Sequence, residues 1–213
     1  MKKIVAINAS PRPGWNTGTL VRDAAQGARD MGAEVQVIDL YALPPFTGCI
    51  SCFGCKLPNN LGRCVCRDGL TPVLDAIREA DGLILGSPNY LGNLSAGFRA
   101  LYERLVFQVL TYKREIRSYN QRPIPVLLIT TSNVAEEHYD GIGYTAMLDQ
   151  YRKTLSAQVG PTELLIAGDT LQVADYGPYD WTIFDPAAKQ ARREQVFPTQ
   201  RQQARAMGAD LVK

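Results

Sequence analysis

The chain has 213 residues, 46% of them hydrophobic, and its 23 basic and 21 acidic side chains leave a formal charge of +2 at pH 7. This length can bury a full core without disulfides, and the near-neutral charge gives no reason to expect a nucleic acid as partner. No apolar run approaches the roughly 20 residues of a membrane helix, and the run in MKKIVAINAS is too short for a signal peptide. We therefore expect a cytoplasmic protein with no membrane contact, whose thiols stay reduced.

Short apolar runs alternate with amphipathic segments along the first 170 residues. The apolar runs are typical of strands that are buried on both faces of a parallel sheet, and the amphipathic segments are typical of helices. The predicted strands are 3–7, 34–40, 82–85, 124–129 and 163–167, and the predicted helices are 17–31, 68–80, 93–110 and 144–159.

The chain from Thr170 onwards is less regular. It contains the aromatic-rich segment DYGPYDWTIFDP, followed by a predicted helix from Ala187 and another over 203–211, with a break at Pro198. Five strands alternating with helices predict a single doubly wound α/β domain, residues 1–213, with helices on both faces of a five-stranded parallel sheet. The commonest order of five such strands is 2-1-3-4-5, and its ligand crevice lies between the first and third strands.

The first loop, NASPRPGWNTGTL (residues 8–20), leads from the first strand into a helix. Free N–H groups and the helix dipole favour a phosphate at such a point. The side chains suited to phosphate are Ser10, Arg12, Asn16, Thr17 and Thr19. Ordinary helix capping by Asn16 or Thr17 is the alternative explanation.

The second loop, SPNYLGNLS (residues 87–95), suits a flat ring. Pro88 can hold the backbone against a ring face, Tyr90 can cover the ring, and Asn93 can either cap the next helix or donate to a ring carbonyl. A plain turn is the alternative. A third loop, TTSNVAEEH (residues 130–138), adds polar groups for the ring edge.

Several common phosphate-binding motifs are absent from these loops. There is no G-x-x-x-x-G-K-[ST], no G-x-G-x-x-G after the first strand, no cysteine before Cys49, and no aspartate where the third strand ends at Ser87-Pro88. These absences disfavour a nucleoside triphosphatase, a dinucleotide-binding enzyme, a cysteine phosphatase and a phospho-accepting receiver domain, respectively. A phosphate site beside a flat-ring site describes FMN better than any other common cofactor.

Three motifs now show a family resemblance: NASPR with NT, the cysteine cluster with GRCV, and ADGLILGSPNYLGNLS. In this order they resemble the flavodoxin-like NADPH-dependent FMN reductases, and especially the branch that includes the iron–sulfur flavoproteins. The resemblance covers about residues 1–170. It implies that Ser10, Arg12, Asn16 and Thr17 bind the FMN phosphate, that Pro88, Asn89, Tyr90 and Asn93 line the isoalloxazine ring, and that Thr131 and Ser132 are its neighbours.

All five cysteines lie in CISCFGCKLPNNLGRCVC, residues 49–66. The iron–sulfur branch uses C-x2-C-x2-C-x(4–7)-C, so the resemblance implies a [4Fe–4S] cluster on Cys49, Cys52, Cys55 and Cys64. Eight residues separate the last two of these, and Cys66 has no counterpart. Zinc held by four thiolates and free redox-active thiols are the alternatives. Because the segment follows the second strand, we expect a cluster to lie near the flavin crevice of its own or a partner subunit.

The resemblance implies an FMN-dependent oxidoreductase that takes electrons from NAD(P)H and passes them to a flavin, quinone or protein acceptor. The cofactor carries the chemistry, so no catalytic residue is expected. A second hypothesis is an iron–sulfur flavoprotein that acts as an electron carrier with little nicotinamide activity, and a third is a zinc-stabilised binding module without flavin. A homodimer or homotetramer is also expected, with residues 130–143 and the aromatic tail gating access to the site.

Overall fold

The computed structural model describes all residues, 1–213, and contains one six-stranded sheet. Five strands run parallel in the order β2-β1-β3-β5-β6, which confirms the predicted 2-1-3-4-5 arrangement. These strands are β1 (Lys3–Asn8), β2 (Glu34–Asp39), β3 (Gly82–Tyr90), β5 (Val126–Thr131) and β6 (Thr162–Ala167). The sixth, β4 (Asn93–Leu94), pairs antiparallel with the end of β3 and was not predicted.

The chain forms six α-helices. They are α1 (Asn16–Asp30), α2 (Thr71–Glu79), α3 (Ala96–Val109), α4 (Tyr144–Gln158), α5 (Pro186–Gln195) and α6 (Phe197–Asp210). All except α5 cover the two faces of the sheet. Short 3-10 turns occur at Leu40–Ala42, Gly54–Lys56, Pro58–Asn60 and Glu136–His138. None of the helices has the length and apolarity that crossing a bilayer requires.

The alternation of side chains along each strand produces a hydrophobic core on each face of the sheet. Val5 and Ile7 of β1 point into the core beneath α2, α3 and α4. Ile4 and Ala6 point into the other core, beneath α1 and α6. The three central strands, β1, β3 and β5, are therefore buried on both faces, as their apolar runs indicated, whereas the edge strands β2 and β6 are only partly buried.

The predicted break at Pro198 is wrong in its position. α5 ends at Gln195 and α6 begins at Phe197, so the chain bends at Val196 and Pro198 lies in the first turn of α6. A proline fits there because the first-turn N–H groups of a helix have no intrahelical acceptor. The last helix therefore starts six residues before the predicted Gln203.

A hairpin replaces the predicted start of the helix at Asn93. β3 continues to Tyr90, and Leu91 and Gly92 both have positive φ angles, 52° and 81°, as the two central residues of a type I′ turn do. The helix begins only after Ser95, whose side chain accepts from the N–H of Phe98. Asn93 is therefore a strand residue and not the helix cap.

Candidate functional site

A cleft of about 660 Å³ opens at the carboxyl ends of β1, β3 and β5, where the strand order reverses. The ends of these strands are adjacent because Asn8 pairs with Gly86 and Pro88 pairs with Thr131. This pairing brings the first, second and third loops to one place. Nine of the ten predicted cofactor-binding residues line the cleft: Ser10, Arg12, Asn16, Thr17, Pro88, Asn89, Tyr90, Thr131 and Ser132.

Asn93 is the predicted residue that does not line the cleft. Its Oδ1 accepts hydrogen bonds from the N–H of Leu94 (2.9 Å) and from the hydroxyl of Tyr151 on α4 (2.6 Å). The hairpin turn carries Asn93 back along Tyr90 and away from the opening. Asn93 therefore ties the hairpin to α4 and stands outside the cleft.

The start of α1 presents unpaired backbone donors to the cleft. Its N-cap residue is Trp15, which forms no side-chain cap, so the alternative of capping by Asn16 or Thr17 is wrong. The hydroxyl of Ser10 instead accepts from the N–H of Arg12 (3.2 Å) and closes the turn before the helix. Free N–H groups at a helix N-terminus favour an anion.

Two of the first-loop side chains are bound to the protein itself. The Asn16 amide donates to the carbonyl of Leu171 (2.7 Å) and accepts from Nη1 of Arg193 (2.8 Å). The hydroxyls of Thr17 and Thr131 share a hydrogen bond of 2.8 Å, which joins the first loop to the end of β5. Asn16 and Thr17 therefore hold the shape of the cleft.

Arg12 lies at the exposed rim of the cleft. Its Nη1 donates to the carbonyl of Gln172 (2.6 Å), and its guanidinium carbon lies 5.1 Å from the ring centroid of Trp15. Arg12 has no carboxylate partner. Its positive charge is thus available to a phosphate at the adjacent helix N-terminus.

The wall formed by the end of β3 carries an unsatisfied amide. Both Oδ1 and Nδ2 of Asn89 are buried without a hydrogen-bond partner. Burial also raises the pKa of the neighbouring Tyr90 hydroxyl, although the charge of Arg12 opposes this shift. Because buried amides normally have partners, a ligand with both donors and acceptors on its edge would complete this wall.

The segment after β6 closes the opposite side of the cleft. Lys189 of α5 is buried, and its ammonium donates to both oxygens of Asn133 (2.8 and 2.9 Å) and to Asp169. Earlier in the same segment, the ring of Trp181 stacks on Tyr179 at a centroid distance of 4.3 Å. The tail is thus tied to the third loop and adds an aromatic surface to the cleft.

The sequence analysis expected the tail and the third loop to gate the site, but it did not name several residues that line the cleft. The residues it missed are Trp15, Leu91, Asn133, Val134, Tyr144, Thr170, Leu171, Gln172 and Val173. It also missed Lys189 and Arg193, which act from α5. No spacing relates Arg193 to its partner Asn16, because 177 residues separate them.

The five cysteines form a second, separate site. All five have free thiols, and all line one small pocket of about 20 Å³ against α3. Burial raises the pKa of the Cys55 thiol, the nearby Cys64 adds to the shift, and Lys56 opposes it. No group of three His, Cys, Asp or Glu side chains stands in an arrangement that could hold a metal ion.

One buried cation, Arg104, and one half-buried cation, Lys56, hold the cysteine segment on α3. The side chain of Arg104 is 1% exposed, and its Nη1 lies 2.6 Å from both carboxylate oxygens of Asp68. Its Nη2 donates to the carbonyl of Cys66 (2.8 Å). Lys56 donates to the carbonyls of Phe107, Gln108 and Leu110 and so neutralises the C-terminal end of α3.

The cysteine pocket and the cleft share no lining residue. The pocket contacts Arg104, Phe107 and Gln108 of α3, whereas the cleft lies beyond the first turn of that helix. The two pockets are therefore separate sites in one chain.

Residues 2–167 match the family model of NADPH-dependent FMN reductases. The chain belongs to this family. The family is one of flavin oxidoreductases. The matched residues include the whole parallel sheet and the first, second and third loops. The family disfavours the hypothesis of a zinc-stabilised module without flavin.

Curated relatives are also similar to this chain. An iron–sulfur flavoprotein of Methanocaldococcus jannaschii is 40% identical over 104 residues, which are 48% of this chain and 51% of that protein. An iron–sulfur flavoprotein of Methanosarcina thermophila is 31% identical over 104 residues, 49% of this chain and 52% of that protein. The matched part thus spans about half the length of these relatives. The predicted branch of the family is confirmed by these matches.

Solved structures share the fold over nearly the full chain. The NAD(P)H:quinone oxidoreductase from Methanothermobacter marburgensis superposes with a TM-score of 0.73 at 15% identity, covering 99% of this chain and 98% of that one. An FMN-dependent NADH-azoreductase from Bacillus anthracis, in complex with FMN, superposes with a TM-score of 0.65 at 12% identity, covering 100% of both chains. These likenesses confirm the flavodoxin-like fold.

Proposed function

We propose that the protein is an FMN-dependent oxidoreductase that takes electrons from NAD(P)H and passes them to a flavin, quinone or protein acceptor. The observation that carries this proposal is the pair of unsatisfied amide atoms of Asn89 in the cleft, opposite a helix N-terminus without a side-chain cap. A flat heterocycle with a phosphate tail supplies what both features lack. The description of the family and the names of the structural neighbours support a nicotinamide donor.

The residues present fit FMN. The N–H groups at the start of α1, with Ser10 and Arg12, would hold the phosphate, and Asn16 keeps that loop in place through Leu171. Pro88, Asn89 and Tyr90 would line the ring, and the donors of Asn89 would orient it. FMN, when bound, supplies the electron-transfer chemistry.

The remaining walls of the cleft exclude water and leave one side open. The Thr17–Thr131 hydrogen bond closes the floor, and the surface formed by Trp181 covers part of the rim. No side chain of the chain is required to transfer a proton, because the cofactor carries the reaction. The open side is where a nicotinamide and then an acceptor would bind in turn.

An anaerobic titration tests this function. We expect NADPH or NADH to bleach the blue absorption band of the FMN-loaded protein, and a quinone or free flavin to restore it. If dithionite bleaches the band but neither NADPH nor NADH does, the result would contradict the proposed donor. That result would favour the second candidate function.

The second candidate is an electron carrier with a [4Fe–4S] cluster on Cys49, Cys52, Cys55 and Cys64. Five reduced thiols around one pocket beside the cation Arg104 favour it, as do the names of the curated relatives. The donors fit a cluster in kind and number. The spacing of the thiols does not fit a cluster, because no three of them stand close enough together to hold a metal ion. Loading of a cluster would therefore require residues 49–66 to rearrange.

An iron assay on protein purified without oxygen decides this candidate. This candidate predicts about four iron atoms per chain, lost in Cys55→Ser and kept in the matched control Cys66→Ser. Iron-free protein under these conditions, or equal loss of iron in both variants, would contradict the proposed ligand set.

We also propose that the chain forms a homodimer or homotetramer. Leu91, at the tip of the β3–β4 hairpin beside the cleft, is fully exposed in the single chain. Tyr90 and Trp181, which line the same cleft, are also exposed, and a group of exposed apolar side chains is favourable at a subunit contact. Sedimentation should give two or four chains, and Leu91→Glu should shift the equilibrium towards monomer; a wild-type monomer would contradict the proposal.

A further inference from the structure

A third cavity, of about 290 Å³, lies at the far end of the molecule from the cleft. It opens between the C-terminal ends of α3 and α4, at Val109 and Gln158, beneath residues 61–63 of the cysteine segment. We call it the α3–α4 cavity. It shares no lining residue with the cleft, and nothing in the proposed function uses it.

The charged side chains that line the α3–α4 cavity are all arginines. Arg63, Arg78 and Arg122 line it, and no Asp or Glu does. Arg78 pairs with Asp75 and Arg122 with Asp81, each at 2.9 Å, outside the lining. Arg63, from the GRCV motif, has no ion-pair partner. The cavity therefore presents a free positive charge at its mouth.

The inner wall combines apolar surface with an unsatisfied amide. Ile77, Leu105 and Ile124 contribute the apolar part. Gln158 is 8% exposed, and its buried Oε1 has no hydrogen-bond partner. Because the terminal torsion of glutamine is soft, the amide can turn this oxygen towards a donor inside the cavity. A buried acceptor without a donor is unfavourable, so a ligand donor there would be stabilising.

We propose that the α3–α4 cavity binds a small organic carboxylate that has a single-ring apolar body and a hydrogen-bond donor at its far end. The carboxylate pairs with Arg63, the ring packs on the apolar wall, and the donor reaches Gln158 Oε1. The volume suits one ring and is less than half that of the cleft. The proposal does not depend on the proposed function of the cleft.

Calorimetric titration of the full chain with 4-hydroxyphenylacetate, in the presence and in the absence of FMN, tests the proposal. We expect saturable binding of one ligand per chain. Phenylacetate, which lacks the donor, and 2-(4-hydroxyphenyl)ethanol, which lacks the carboxylate, should each bind about tenfold more weakly. Absence of saturable binding, or equal affinity for all three compounds, overturns the proposal without affecting that for the cleft.

Variants locate the bound ligand. Arg63→Ala should weaken 4-hydroxyphenylacetate binding about 10- to 100-fold, and Gln158→Leu should abolish its advantage over phenylacetate. Arg114→Ala, at an exposed arginine outside the cavity, and Trp181→Ala, in the cleft, should leave the affinity unchanged. An unaffected Arg63→Ala variant, or a loss of binding in Trp181→Ala, would place the ligand elsewhere and overturn the proposal.

Discussion

Replacement of Asp68 by asparagine should destabilise the protein severely. Asp68 is the only carboxylate that pairs with Arg104, a side chain 1% exposed, through two contacts of 2.6 Å. Asparagine keeps the shape but leaves a buried guanidinium without a counter-charge, which costs about 3–5 kcal/mol. For a chain of this size each kcal/mol lowers the melting temperature by about 2–4 °C, so we expect a loss of roughly 6–20 °C.

Urea unfolding followed by far-ultraviolet circular dichroism measures this change in the free energy of unfolding at pH 7. The matched control is Asp149→Asn. Asp149 is an ion-pair carboxylate like Asp68, but its partners, Arg152 and Lys153, lie on the surface. Surface ion pairs contribute little, so the control should unfold almost where the wild type does. An Asp68→Asn variant no less stable than this control would refute the assigned role of the buried pair.

The pH dependence provides a second measurement of the same pair. Burial raises the pKa of Asp68, but hydrogen bonds from Arg104 and from backbone N–H groups outweigh this, and the net pKa lies below its ordinary value. A lowered carboxyl pKa stabilises the fold above the unfolded pKa of about 3.9, and this stabilisation disappears as the pH falls through the folded pKa. The stability gap between wild type and Asp68→Asn should therefore be constant above about pH 5 and shrink below pH 4. A gap that does not shrink would contradict the assignment.

Three further predictions concern the cleft and are measured by FMN titration and stopped-flow release. Asn89→Ala should weaken FMN binding about 10- to 100-fold, since two hydrogen bonds to the ring edge are lost, whereas Asn59→Ala, at an exposed asparagine, should not; equal affinities would contradict the ring position. Arg193→Met should weaken FMN about tenfold by releasing Asn16 but leave riboflavin, which has no phosphate, unchanged; an equal effect on both would argue against a role at the phosphate. Trp181→Ala should accelerate FMN release, and unchanged turnover and flavin fluorescence would count against the tail as a cover.

The strands and the cleft were predictable because they depend on local patterns. Apolar runs such as KIVAI identify buried parallel strands, and the right-handed connections of a doubly wound sheet then bring the loops after β1 and β3 together. Nine predicted residues lie in one cleft for this reason. The position of Asn93 outside the cleft was not predictable, because the positive φ angles of Leu91 and Gly92 depend on hairpin pairing, which the apparent helical spacing of the following residues conceals.

The contribution of the C-terminal segment could not be predicted. Lys189 and Arg193 reach Asn133 and Asn16 only because α6 packs on α1 and carries α5 to the rim of the cleft. Such contacts depend on how helices pack and leave no periodic trace in the chain.

A crystal structure of the protein with FMN tests the central claim most directly. The account predicts the phosphate within hydrogen-bonding distance of the first N–H groups of α1 and of Ser10, and the isoalloxazine against Pro88 and Tyr90 with its edge bonded to the Asn89 amide. A structure in which FMN lies outside this cleft, or in which it binds there without contacting Asn89 or the start of α1, would contradict it.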